Sequence, residues 1–222
     1  MRQFQSSIFD TDEGYMVRTI PTKDAYELLL TVHYARRIPS ISYAYGLFDN
    51  GRFAGVVTYG TPSSSTLRAG VCGSDYADIV LELNRLCLTE NNPNEASMLV
   101  GMSLKKLPDF RIVVSYADTE QKHLGVVYQA TNFLYTGLSA KRTDWVVDGM
   151  EHLHGQTIAD MTRGKENRAQ QMRQIFGDKF RLEPRSRKHR YVTFTGTKGQ
   201  RKLLKSKLLY PVLPYPKEQN NG

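Results

Sequence analysis

The four residues Asp49-Asn50-Gly51-Arg52 separate two β-prone runs, Tyr43 to Phe48 and Phe53 to Tyr59. Asn-Gly accepts the positive φ angles of a tight hairpin turn, so this spacing commits the first third of the chain to an antiparallel strand pair. Ile79 to Leu88 reads as a third strand, and Arg111 to Ala117 as a fourth, short and apolar enough to be a buried parallel member. Between them Asn92-Pro93-Asn94-Glu95 predicts a helix start, with Asn92 as cap, Pro93 at the first position and Glu95 three residues past the cap. That helix runs to about Leu107.

Ala25 to Ala35 carries good helix formers and must stop before Pro39. From His123 to Thr136 the apolar residues Leu124, Val127, Tyr128, Leu134 and Tyr135 fall on one helical face, with Gly137 as the stop. A strand over Asp144 to Val147, a helix from Glu166 to Phe176 ended by Gly177, and two last strands, Arg190 to Thr195 and Leu208 to Leu213, complete the reading. The order predicts an α/β (α+β) fold: a mixed central sheet flanked by helices, in a single domain spanning 1–222, with a basic insertion before the last two strands.

Hydrophobic residues make up 40% and charged residues 23% of the 222, which excludes disordered, collagen-like and fibrous classes. No apolar run approaches the roughly 20 residues that span a bilayer, and the first residues lack a signal-peptide stretch, so the expectation is a cytoplasmic protein with no membrane partner. Cys72 and Cys87 are too few for a disulfide framework and lack metal-ligand spacing, in keeping with a reducing compartment. The net charge of +8 is unevenly spread: residues 1–140 hold 12 basic and 14 acidic residues, residues 141–207 hold 17 and 7. A local excess of this kind is the footprint of a polyanion partner, with a merely solvated basic face as the alternative. Within 141–207 the candidate phosphate contacts are Arg168, Arg173, Arg185, Arg187, Lys188, Arg190, Lys198, Arg201 and Lys202.

The element order resembles that of GCN5-related N-acetyltransferases. A narrower likeness rests on His33-Tyr34-Ala35-Arg36-Arg37, Phe53-Ala54-Gly55-Val56-Val57-Thr58-Tyr59-Gly60, Glu82-Leu83-Asn84-Arg85-Leu86, Ser115-Tyr116-Ala117-Asp118, Tyr128-Gln129-Ala130-Thr131-Asn132 and Tyr210-Pro211-Val212-Leu213-Pro214-Tyr215-Pro216. These stretches resemble the Mom family of bacteriophage DNA-modification proteins. The resemblance implies transfer of a carbamoylmethyl group to the N6 amine of adenine, protection of phage DNA from restriction, double-stranded DNA as partner and the host cytoplasm as location. An acyltransferase of the same fold acting on another amine, and a non-catalytic DNA-binding protein, are the rivals.

The fold likeness also implies acetyl-CoA or another acyl donor, held near Asn92, Asn94 and Asn132. Acetyltransferases of this type seat the pyrophosphate on a glycine-rich loop at a helix N-terminus. Leu88 to Ala96 has no glycine, carries Glu90 and Glu95, and loses a donor at Pro93, so weak coenzyme A binding is expected. Candidate catalytic residues are Arg85, Asp118, Tyr34, Ser115, His33 and Tyr135. Strand alternation puts Arg85 on one face with Leu83 and Cys87, as a donor clamp or a structural ion pair. Asp118 ends a strand where α/β sheets border their ligands and can take the proton of a weakly nucleophilic amine, or else cap a helix from about 120. Ser115 orients a neighbour or fills space. His33 at a helix end meets the dipole or the substrate, and Tyr34 and Tyr135 are aromatic faces for an extruded base. His152 and His154 alternate, but with no third ligand in view no site for a metal such as iron is assigned.

Overall fold

The structure, a computed structural model, describes residues 14–33, 36–62, 64–153 and 155–217. Tyr34 and His154 lie outside these. The described elements are β1 (Tyr15–Thr19), α1 (Tyr26–Thr31), β2 (Tyr43–Asp49), β3 (Arg52–Gly60), α2 (Ser65–Cys72), β4 (Val80–Leu88), α3 (Glu95–Lys106), β5 (Ile112–Asp118), α4 (Val126–Ala130), β6 (Leu134–Leu138), β7 (Arg142–Val147), α5 (Gly155–Asp160), α6 (Arg168–Phe176), β8 (Phe180–Arg185), β9 (Lys188–Phe194) and α7 (Lys198–Ser206). Seven strands form one sheet in the order β1-β2-β3-β4-β5-β9-β6, and β7 pairs with β8 separately. The mixed α/β class read from the sequence is the one observed.

Asp49 faces Arg52 across the β2–β3 turn, with Asn50 at φ 46° and Gly51 at φ 78°. These two residue types are there because both central turn positions need positive φ. β1 to β4 are antiparallel, whereas β4 and β5 are parallel, with Val80–Leu83 set against Ile112–Ser115. Asn84–Leu88 and Tyr116–Asp118 run on past that short ladder, so the sheet forks between β4 and β5.

The chain divides into two compact units, one from Met1–Ala117, Leu124–Gly137 and His189–Gly222, the other from Asp118–His123 and Leu138–Lys188. In the first, one core cluster packs Tyr45, Tyr59, Leu83 and Tyr191 with Leu99 and Val100 of α3, and another packs Val56 and Cys87 with Leu28 and Leu29 of α1. A third joins Val71, Val114 and Val192 to Leu204 of α7. The second unit has its own small core of Val147, Ile158, Met172 and Phe180.

Several expectations need correction. The helix placed over Ala25 to Ala35 covers only Tyr26–Thr31, behind a 3₁₀ turn at Thr22–Ala25. The helix placed over His123 to Thr136 is the five-residue α4, because Asn132 takes a left-handed turn at φ 60° and the β-prone residues after it enter β6. Tyr135 therefore sits on a strand. Gly125, at φ 71° before α4, must be glycine because a Cβ there would lie 2.5 Å from the Tyr191 ring. Leu208 to Leu213 forms no strand: Leu209 N–H reaches Val71 O and Leu213 N–H reaches Tyr135 O, but Pro211 and Pro214 lack the N–H a ladder needs. The sequence reading holds no counterpart to β1, α2, α5, β8 and α7, although Thr197 and Gln200 close a full capping box on α7.

Candidate functional site

In the first unit β4 carries a bulge. Thr58 pairs with Arg85 but Tyr59 pairs with Leu83, which leaves Asn84 as the extra residue. Its side chain holds the distortion, donating to Ser40 O at 2.8 Å and accepting from Thr58 Oγ1 at 2.6 Å. An extra residue reverses the side-chain alternation beyond it. Leu83 thus joins the core under α3 while Cys87 joins the core under α1, and Arg85 is not on the face of Leu83 as plain alternation predicted.

Arg85 donates from Nη1 to Asn84 O at 2.6 Å and from Nε to Arg37 O at 3.4 Å. His33, 8% exposed, lies close enough for the guanidinium to act on it. Burial, and secondarily the Arg85 charge, push the His33 pKa down to about 4. A neutral imidazole does not meet a helix dipole as a cation, so that reading of His33 falls. Ser115 sits at the fork, fully buried, and its hydroxyl donates to Leu83 O at 2.9 Å, tying the two strands where they separate. On β6, the Tyr135 hydroxyl and His189 Nδ1 are 2.9 Å apart, and the Tyr135 ring packs at 5.3 Å from that of Tyr191. Burial holds the His189 pKa below its usual value. His189 escaped the sequence reading because a single histidine inside an Arg-rich run looks like part of the run.

Asp118 belongs to the second unit. It is 8% exposed, its Oδ2 receives Lys188 Nζ at 2.8 Å, and its Oδ1 accepts from Glu120 N–H at 3.1 Å and Ser186 Oγ at 3.5 Å. Burial pushes its pKa up, but the bonds from Lys188, the Glu120 amide and Ser186 outweigh this and leave it below the usual carboxylate range. The acid is therefore ionised at neutral pH. No helix starts near 120; Asp118 closes a local turn onto the Glu120 amide in place of the expected cap.

The resemblance to acetyltransferases implies an acyl-coenzyme A pyrophosphate at the N-terminus of α3. Asn94, at φ 69°, is the residue before the helix, not Asn92. Glu95 is 1% exposed and folds its carboxylate back onto Asn92 N–H at 2.8 Å, Asn92 Nδ2 at 3.0 Å and the Tyr15 hydroxyl at 3.0 Å. The Asn92 side-chain bond first, then the Asn92 amide and Tyr15, outweigh burial and hold Glu95 below the usual carboxylate range. A fixed negative charge sits in the first turn of α3 and takes up the Asn92 donors, and Pro93 supplies none. These residues do not fit a pyrophosphate. Among the described residues no three His, Cys, Asp or Glu converge as a metal site.

The predicted phosphate contacts divide sharply. Arg187 donates to Ser139 O at 2.6 Å and to Leu138 O at 3.3 Å, and Lys188 is bound to Asp118. Arg190 bonds to Thr136 through Oγ1 and O, each at 2.9 Å, and stacks 3.4 Å over Tyr210. Arg168 lies over Trp145 and donates to Ala159 O, and Arg185 faces Asp144 at 3.6 Å. Arg173, Lys198, Arg201 and Lys202 are exposed. The last three line a groove of about 1410 Å³ in the first unit, between α3 and α7, which also takes in Asn94 and Asn132.

The strand order and the forked parallel pair define a mixed α/β fold. Solved structures similar to it include an acetyltransferase of Bacillus cereus (10% identity, 82% of this chain and 99% of that one, TM-score 0.43) and NAA60 of Arabidopsis thaliana in complex with acetyl-CoA (12%, 81% and 98%, TM-score 0.46). The Mom protein family model matches residues 14–217. The methylcarbamoylase Mom of Escherichia phage Mu is 34% identical over 214 residues, covering 90% of this chain and 83% of that protein. The chain belongs to the Mom protein family.

Proposed function

We propose that this protein is a phage DNA-modification transferase that adds a carbamoylmethyl-type group to the N6 amine of adenine in double-stranded DNA and so protects it from restriction. The observation that carries this reading is the family match over residues 14–217, which spans every candidate residue, together with a relative named as a methylcarbamoylase. Adenine must leave the base stack, since its paired amine is hydrogen-bonded and shielded. The amine is a poor nucleophile because its lone pair is delocalised into the ring. It needs a base, and Asp118, ionised at neutral pH, accepts its proton as the N6–carbon bond forms and the donor's bond to its leaving group breaks, the leaving group departing with the electron pair.

Arg85 is the donor clamp. Its fork is re-aimed by the Asn84 bulge, and the guanidinium stabilises an oxygen of the group being transferred. Neutral His33 lies beside it, and Tyr34 and Tyr135 are the aromatic faces for the extruded base. Coenzyme A supplies no step, because the Glu95 charge fixed in the first turn of α3 opposes its pyrophosphate. This also weighs against an acetyltransferase acting on another amine. Nucleoside mass spectrometry of DNA from expressing cells tests the reading: an adenine heavier by one carbamoylmethyl group is expected, and unmodified adenine overturns it.

A further inference from the structure

The groove between α3 and α7 plays no part in the chemistry above, yet it gathers five cations: Lys105 from the last turn of α3, and Lys198, Arg201, Lys202 and Lys205 from α7. The four on α7 stand at i, i+3, i+4 and i+7, so they share one helix face, while Leu204 is fully buried and anchors the helix. Seven residues of helix rise about 10 Å, which places four like charges along a short line and costs a few tenths of a kcal/mol per neighbouring pair. All five side chains are exposed. Among the described residues none of them forms an ion pair. Asp109 is the one acid in the lining, and it faces Arg111 at 3.6 Å.

The second unit behaves differently. Four of its basic side chains meet acids: Arg163 with Asp160, Arg181 with Asp148 and Glu183, Arg185 with Asp144, and Lys188 with Asp118. Residues 190–207, by contrast, hold six basic residues and no acid. In the Arg185 to Arg190 run Arg185 and Lys188 meet acids and Arg187 and Arg190 are tied to carbonyl and hydroxyl oxygens, whereas the described residues place no acid against the cations of α7. At about 1410 Å³ the groove also exceeds the roughly 300–1,000 Å³ of small-molecule sites, which favours a polymer over a compact ligand.

We propose that the α3–α7 groove seats the sugar–phosphate backbone of the DNA duplex, with successive phosphates along Lys198, Arg201, Lys202 and Lys205 and a further one at Lys105. This rests on the reading of DNA as the substrate and names where its backbone lies. Contacts of this kind fix position and carry no base information.

The test is fluorescence anisotropy with a labelled 20-base-pair duplex between 50 and 200 mM salt, on the full chain, an Arg201→Ala/Lys202→Ala/Lys205→Ala variant and a charge-matched control, Lys23→Ala/Lys165→Ala/Lys179→Ala, whose residues lie outside the groove. Losing three phosphate contacts should flatten the log–log salt slope by about 2.7, alike for unrelated sequences, while the control shifts it by less than about 1. Lys198→Gln alone should flatten it by about 0.9 in a protein whose circular dichroism is unchanged. An unchanged slope in the triple variant overturns the proposal, as does a full chain that does not bind the duplex. A variant that loses binding to single-stranded RNA or to an acidic peptide while keeping its duplex slope assigns the groove to another polyanion and overturns it too. If the slopes move as expected but cellular DNA carries no added mass, the groove stands and the modification reading fails.

Discussion

Arg85 is the residue on which donor binding and folding can be told apart. It donates to the main-chain carbonyls of Asn84 and Arg37, and a donor clamp requires that Arg85→Ala fold with native circular dichroism and keep its DNA affinity. The added adenine mass should vanish. Arg85→Lys keeps the charge but not the planar fork, and losing one charge-assisted bond should cut modification by roughly 10- to 100-fold. Full modification by a folded Arg85→Ala protein would sink the clamp. His33 gives a second, purely thermodynamic signal. Its folded pKa of about 4 lies below the unfolded value, so the unfolded chain takes up a proton as pH falls through about 6.5 and the folded chain does not. His33 therefore makes its full contribution above that range and loses on the order of 3 kcal/mol by pH 4. Urea unfolding of the native protein and His33→Gln across pH 4–7 should show a steeper loss in the native chain, and parallel curves would contradict the buried neutral imidazole.

Among the elements, α3 carries a negative charge fixed in its first turn. Glu95 uses the donors around Asn92 that a pyrophosphate would require. Calorimetry with free coenzyme A should show no heat up to about 1 mM, equivalent to binding weaker than roughly −4 kcal/mol. Tight binding would mean that Glu95 moves aside. The missing glycines and the two glutamates were visible in the sequence; that Glu95 turns inward and becomes buried was not, since a first-turn acid ordinarily faces water. β4 teaches the converse lesson. Its residues alternate cleanly on paper, and only the mismatch with β3 shows that Asn84 is an extra residue and that Arg85 faces α1. α4 was read too long because apolar residues at 127, 128, 134 and 135 fit a helix as well as they fit a helix, a left-handed turn at Asn132 and a strand.

For the molecule as a whole, about four phosphates engaged along α7 would give a salt slope near −3.6, so duplex affinity should fall roughly 100-fold between 50 and 200 mM salt. Salt-independent affinity would deny the polyanion role of the basic residues altogether. Local chemistry was enough to determine the β2–β3 turn, the start of a helix before residue 96, the parallel β5 and the basic excess after residue 140, because a turn, a cap, an apolar run and a charge count depend on residues adjacent in the chain. The identity of the free cations was decided elsewhere. Arg187, Lys188 and Arg190 look more exposed in sequence than Lys205, yet they are held by Ser139, Asp118 and Thr136, while Lys198, Arg201, Lys202 and Lys205 line the α3–α7 groove. Those partners lie about 50 to 70 residues away in the chain. Side-chain pairing at that separation follows from tertiary packing, and only the folded chain shows which charges it has already satisfied.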